Sequence, residues 1–112
     1  MLTQAEFRKF ALSMTEAEEG RHFENTDFRV RGKIFATLRP TDGRAVLKLA
    51  PAEQSLLMEV HPGLFEPVPG SWGMKGWTRI SLESADAATA LHAMTLAWCN
   101  VAPKALRRQA GP

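Results

Sequence analysis

The stretch F-R-V-R-G-K-I-F-A-T-L, residues 28–38, decides the architecture. Phe28 and Val30, then Ile34, Ala36 and Leu38, recur at every second position with polar or charged residues between, which is the period of a half-buried strand. Gly32 tolerates the positive φ of a tight turn, so the stretch folds back as a hairpin. Asp42-Gly43 repeats the turn signal and Val46 resumes the alternation, giving an antiparallel meander over residues 23–49.

On the N-terminal side, Thr3 and Glu6 form a T-x-x-E capping box, with Leu2 and Phe7 placed for a hydrophobic staple. Phe7, Phe10, Ala11 and Met14 continue at helical spacing, predicting a helix whose apolar stripe runs until Gly20 and leaves Glu16, Glu18 and Glu19 exposed. On the C-terminal side, Pro51 opens a short helix with Leu56, Leu57 and Val60 on its apolar side, and Pro62-Gly63 stops it. Leu64 to Lys75 holds Pro67, Pro69, Gly70 and Gly73 and reads as a structured loop, extended only around Phe65. Trp77 to Leu82 alternates as a last strand. Ser84 is the expected cap of a long helix carrying Ala87, Leu91, Met94, Trp98 and Val101, which Pro103 ends. The expectation is one domain over residues 1–103 and a basic tail over 104–112.

The 112 residues, 45% hydrophobic and 23% charged, suit one domain with one core. Such a chain buries roughly two-thirds of its unfolded surface without needing disulfides or a structural metal. A single cysteine, Cys99, excludes a disulfide framework and a zinc-ribbon cluster and points to a reducing, cytoplasmic setting. No signal-peptide pattern or membrane-length apolar run is found, so no membrane partner is expected.

Enzyme motifs are poorly represented. His22, His61 and His92 fall on separate elements without metal-ligand spacing. Gly70-Ser71-Trp72-Gly73 lacks the first glycine of a nucleophile elbow, since Pro69 stands there. Gly70, Gly73 and Gly76 match neither nucleotide-binding glycine pattern; they let the backbone bend around Trp72 and Trp77, whose rings are expected to seal one end of the core. Cys99 reads as a packing residue. The expectation is a non-enzyme with no catalytic residue, cofactor or metal.

Charge is polarised along the chain. The net +2 sums −3 over residues 1–28, +5 over 29–48, −3 over 49–102 and +3 over the tail. A basic hairpin fixes cations at regular spacing, which suits phosphate contact, although cations on strands also keep sheet edges soluble.

The ordered series F-R-V-R-G-K-I-F-A-T-L, V-L-K-L-A-P (46–51), H-P-G-L-F-E-P (61–67) and G-W-T-R-I-S-L (76–82) resembles the MmcQ/YjbR family. The resemblance implies a two-layer α+β domain, α-β(3)-α-β(2)-α, with an antiparallel sheet in a secretion-chaperone-like layout. It also implies DNA binding through "double-wing" hairpins, with Gly32, Lys33, Lys48 and Trp77 at family positions and no catalytic residue to carry over. The expected DNA contacts are Arg29, Arg31, Lys33, Arg39, Arg44 and Lys48, with Arg107 and Arg108 supplementing them from the tail. Two alternatives stay open: a protein-interaction module using one sheet face or the loop from Phe65 to Trp77 against a partner or a second copy, and a small-anion site near Lys33, Lys48 and Trp77; the oligomeric state is open between monomer and weak homodimer.

Overall fold

The chain begins with the capping box read from its sequence: Glu6 N donates to Thr3 Oγ1 at 3.0 Å and Thr3 N donates to Glu6 Oε1 at 2.9 Å. The computed structural model describes residues 1–109. Helix α1 spans Gln4–Leu12 and buries Phe7 and Ala11. It stops well before Gly20, where the apolar spacing predicted it to continue. Ser13 turns its hydroxyl back onto Phe10 O at 2.6 Å, Glu16 adopts a left-handed φ of 56°, and Ala17–His22 becomes strand β1. Glu18 and Glu19 therefore lie on a sheet edge, not on a helix. Pairing with β2, Asn25–Val30, outweighs the weak helix preference of this segment.

Strands β3, Lys33–Arg39, and β4, Arg44–Lys48, complete the meander, which has four strands where three were expected. Arg31 (φ 51°) and Gly32 (φ 81°) form the predicted two-residue turn. Pairing steps from Phe28↔Ala36 to Arg29↔Ile34, so Phe35 is the extra residue of a bulge. The bulge buries Phe35 and Ala36 together and takes Ile34 out of the apolar alternation assigned to it.

Next come α2 (Pro51–Val60), β5 (Phe65–Pro67), α3 (Ser71–Met74), β6 (Trp77–Ile80), α4 (Ala87–Val101) and α5 (Lys104–Gln109). The six strands form one antiparallel sheet in the order β1-β2-β3-β4-β6-β5. The architecture is α+β, with α1 and α4 packed on the meander strands and α2 and α3 on β5 and β6. Phe7 meets Phe28 edge-on, α4 packs on β3 and β4, and Leu57 of α2 shares the core with Phe65 and Ile80.

Four local expectations are corrected. Helix α4 is capped by Asp86, whose Oδ1 accepts from Thr89 N at 2.7 Å, and not by Ser84. Its buried stripe is Ala90, Ala93, Met94, Ala97 and Trp98, with Leu91 turned outward, because alanines let the helix lie close to the sheet. Helix α2 buries Gln54 and Leu57, while Leu56 and Val60 are exposed. The basic tail is helical from Lys104 to Gln109 and docks Leu106 in the core, where burial of one leucine recovers ordering entropy; the rest of the expected tail, residues 110–112, lies outside the described residues.

Candidate nucleic-acid interface

Cross-strand partners in an antiparallel sheet share a face, so register locates the cations. The core face takes Phe28, Ala36, Leu47 and Thr78. Its opposite receives Asp27↔Thr37, Arg39↔Arg44, Thr37↔Val46↔Arg79, Glu66↔Arg79 and Lys48↔Trp77. This second face collects most of the sheet's basic side chains, and Trp72 of α3 meets it at Trp77.

Three of the expected contact residues are already bound by carboxylates. Arg29 Nε donates to Asp27 Oδ1 at 2.6 Å and its Nη2 to Oδ2 at 3.1 Å. Asp27 is fully buried, shares a 2.8 Å hydrogen bond with His22 Nδ1, and is held below the ordinary carboxylate range, first by the Arg29 bond. Gly20 faces it because a Cβ there would stand 2.6 Å from Asp27 Oδ1. Arg31 forks onto Glu16 at 2.7 and 3.1 Å. Arg39 forks onto Asp42, whose carboxyl is pulled down to about 2 by that bond, with a further bond from Arg44 N. Arg44, Arg107 and Arg108 are exposed, with no ion pair among the described residues.

The lysines behave differently. Lys33 and Lys48 line a hollow of about 410 Å³ together with Ile34, Leu49, Pro51, Lys75, Asn100 and Val101. Three cations and no carboxylate border it. Lys48 Nζ donates to Lys75 O at 2.5 Å and stands 5.4 Å from the Trp77 ring centre. Burial, and then the charge of Lys75, push the Lys48 ammonium down. Lys75 Nζ stands 5.5 Å from the Trp72 ring centre, and the two indoles meet at 6.4 Å and 73°. Asn100 Nδ2 ties α4 to Lys48 O at 3.1 Å, fixing one wall. A larger hollow of about 840 Å³ lies elsewhere and mixes Arg44 and Arg79 with Asp42, Glu66 and Glu83, so its charges largely cancel.

Lys33 and Lys48 line one hollow, with Trp77 beside Lys48, whereas the hairpin arginines lie outside it. The sequence reading missed Lys75 and Asn100; Lys75 sits in an acidic-sum segment, and only its place between Trp72 and Trp77 marked it. The glycines act as expected: a Cβ on Gly73 would enter Val68 O and one on Gly76 would enter Leu49 O. The tryptophans do not seal the core, since Trp72 is 60% exposed and Trp77 half-buried. Among the described residues no cluster of three or more His, Cys, Asp or Glu is arranged for a metal, and no helix is long and apolar enough to cross a membrane.

A model of the YjbR family matches residues 12–99. No curated protein matches the chain. Among solved structures, it is similar to the crystal structure of Deinococcus radiodurans protein DR2400, which has a DUF419 domain. The likeness has 22% identity and a TM-score of 0.79, and it covers 99% of this chain and 89% of that one. At that identity the likeness establishes the fold.

Proposed function

The chain belongs to the YjbR family, and we propose that it is a non-enzymatic nucleic-acid-binding domain that holds phosphates with Lys33, Lys48 and Lys75. The observation that supports this is the hollow those three lysines border without any carboxylate, beside two indoles. Arg29, Arg31 and Arg39 already satisfy their charge within the protein, so transferring them to phosphate breaks a bidentate pair for each new one. Among the described residues the three lysines have no carboxylate partner to give up, although Lys48 already donates one hydrogen bond to Lys75 O. In this reading the β2–β3 wing contributes Lys33, which pairs with Val30 beside the turn, and not Arg31 within the turn itself. Exposed Arg44, Arg107 and Arg108 add long-range attraction.

Fluorescence anisotropy with a labelled oligonucleotide tests the proposal. Three phosphate contacts give a log–log salt slope of about −2.1 to −2.7, hence a loss of roughly 20- to 40-fold between about 50 and 200 mM salt. The triple variant Lys33→Ala, Lys48→Ala, Lys75→Ala should bind weakly with a flattened slope, whereas Arg31→Ala should keep the wild-type slope. Absence of wild-type binding at the lower salt, or an unchanged triple variant, refutes the proposal. A small phosphorylated ligand is the second reading, favoured by the partly desolvated Lys48. A thermal shift with a nucleoside monophosphate, but no oligonucleotide binding, would select it.

A further inference from the structure

Trp72 projects from α3 with 60% of its surface exposed, an uncommon placement for a large indole on a short, well-anchored element. Its position is fixed from several sides. Gly76 N donates to Gly73 O at 3.0 Å, Gln54 Nε2 donates to the same carbonyl at 3.0 Å, and Gly73 lies against the Val68 carbonyl. The backbone that carries Trp72 is thereby held, and its ring meets Trp77 edge-on. Lys75 stands over it, Lys48 stands over Trp77, and both lysines border the hollow that Lys33 completes. Aromatic faces alternate here with cations at one place on the surface.

We propose that the nucleic acid this site takes is single-stranded, with a base stacked on Trp72 while Lys48 and Lys75 hold the flanking phosphates. The inference rests on the phosphate-binding reading above and narrows it. In a duplex each base face is covered by its neighbours, so an indole on the protein surface gains nothing from it. In a single strand every base offers a free π-face, and stacking joins the phosphate attraction without sequence preference. The near-perpendicular setting of the indoles, 73°, adds a geometric reason. Two platforms at that angle cannot both lie parallel to one straight base stack, so a strand that uses them turns between successive bases, which a duplex resists. Three lysines and no carboxylate in the hollow's lining supply the charge complementarity to a polyanion.

The test uses the full chain and three labelled probes of one sequence, about 12 nucleotides long: a single strand, its duplex, and a single strand with abasic sites that keeps every phosphate. The single strand should bind tighter than the duplex and the abasic strand. Trp72→Ala should weaken single-strand binding roughly 5- to 100-fold while leaving duplex binding unchanged, and Trp72→Phe should restore most of the loss. Trp72 is exposed, so both variants should keep wild-type melting, which circular dichroism checks. Equal binding of abasic and normal strands, or a silent Trp72→Ala, overturns the stacking inference while leaving phosphate binding standing. If no probe binds at low salt, both readings fall. If Trp72→Ala instead converts a dimer to a monomer by light scattering, the indole serves self-association and the inference is wrong.

Discussion

Replacing Gln54 with leucine should destabilise the protein, although it exchanges a buried amide for an apolar side chain. Gln54 is 8% exposed on α2, and its Nε2 donates to Gly73 O at 3.0 Å and Thr78 Oγ1 at 2.9 Å, with Trp77 O more distant at 3.4 Å. Thr78 Oγ1 passes the chain on to Gly76 O at 2.8 Å. An amide nitrogen has two hydrogens, so two bonds are at stake, together worth about 2 kcal/mol net. No acceptor is stranded, because Gly73 O keeps Gly76 N and Trp77 O keeps Val68 N. Leucine returns about 1 kcal/mol through its extra apolar surface. The balance is a loss of about 1 kcal/mol, or about 4 °C in Tm for a domain of this size. Urea unfolding followed by far-UV circular dichroism measures it. Crossing Gln54→Leu with Thr78→Val should give a coupling of at least about 0.5 kcal/mol. If Gln54→Leu is as stable as wild type or more so, α2 is held by apolar packing and the polar strap under α3 has been given a role it lacks.

Asp27 titrates below the usual carboxylate range, chiefly because Arg29 binds it, so its contribution to stability is present above the unfolded-state value and is lost as pH falls through the folded one. Asp27→Asn should therefore lower Tm at neutral pH, and the gap to wild type should close on acidification below about pH 4; a gap independent of pH refutes the assignment. Gly76→Ala combines a φ of 104° with a Cβ driven into the Leu49 carbonyl, while Gly32→Ala at φ 81° meets open space. Urea midpoints should show a cost above about 2 kcal/mol for the first and about 1 kcal/mol for the second, and equal costs would mean that backbone crowding at α3 is relieved elsewhere.

How far the fold could be read depended on whether an element's partner lay in its own pattern. The capping box, the Arg31-Gly32 turn and the stop at Pro103 are local chemistry, and each holds in the structure. Strand β1 is A-E-E-G-R-H, with no apolar alternation, since an edge strand is held by backbone bonds to one neighbour and shows polar side chains to water. Its one sequence clue is Gly20, which makes room for Asp27. Helix α5 was missed because a single leucine, Leu106, anchors it. The buried face of α4 was misplaced by weighting Leu91 over Ala90 and Ala93, although close approach to a sheet selects small side chains.

Lys33, Lys48 and Trp77 of the candidate site were legible in the sequence, but the weight given to the hairpin arginines was misplaced for an electrostatic reason. Summing charge by segment located +5 in residues 29–48, yet three of those six cations are matched within the fold. Two of the matches are short-range and visible in principle: Asp27 lies two residues before Arg29 on the same face of β2, and Asp42 three after Arg39 across a turn. The third, Glu16 to Arg31, spans fifteen positions and exists only because β1 pairs with β2. All three involve arginine, whose planar fork can bind a carboxylate through two parallel hydrogen bonds, a geometry that lysine lacks. The cations that line the hollow are therefore lysines, and these converge from β3, β4 and the turn after α3. Lys75 contributes from a segment whose own sum is −3, so the cation that completes the hollow stands where regional charge predicted none.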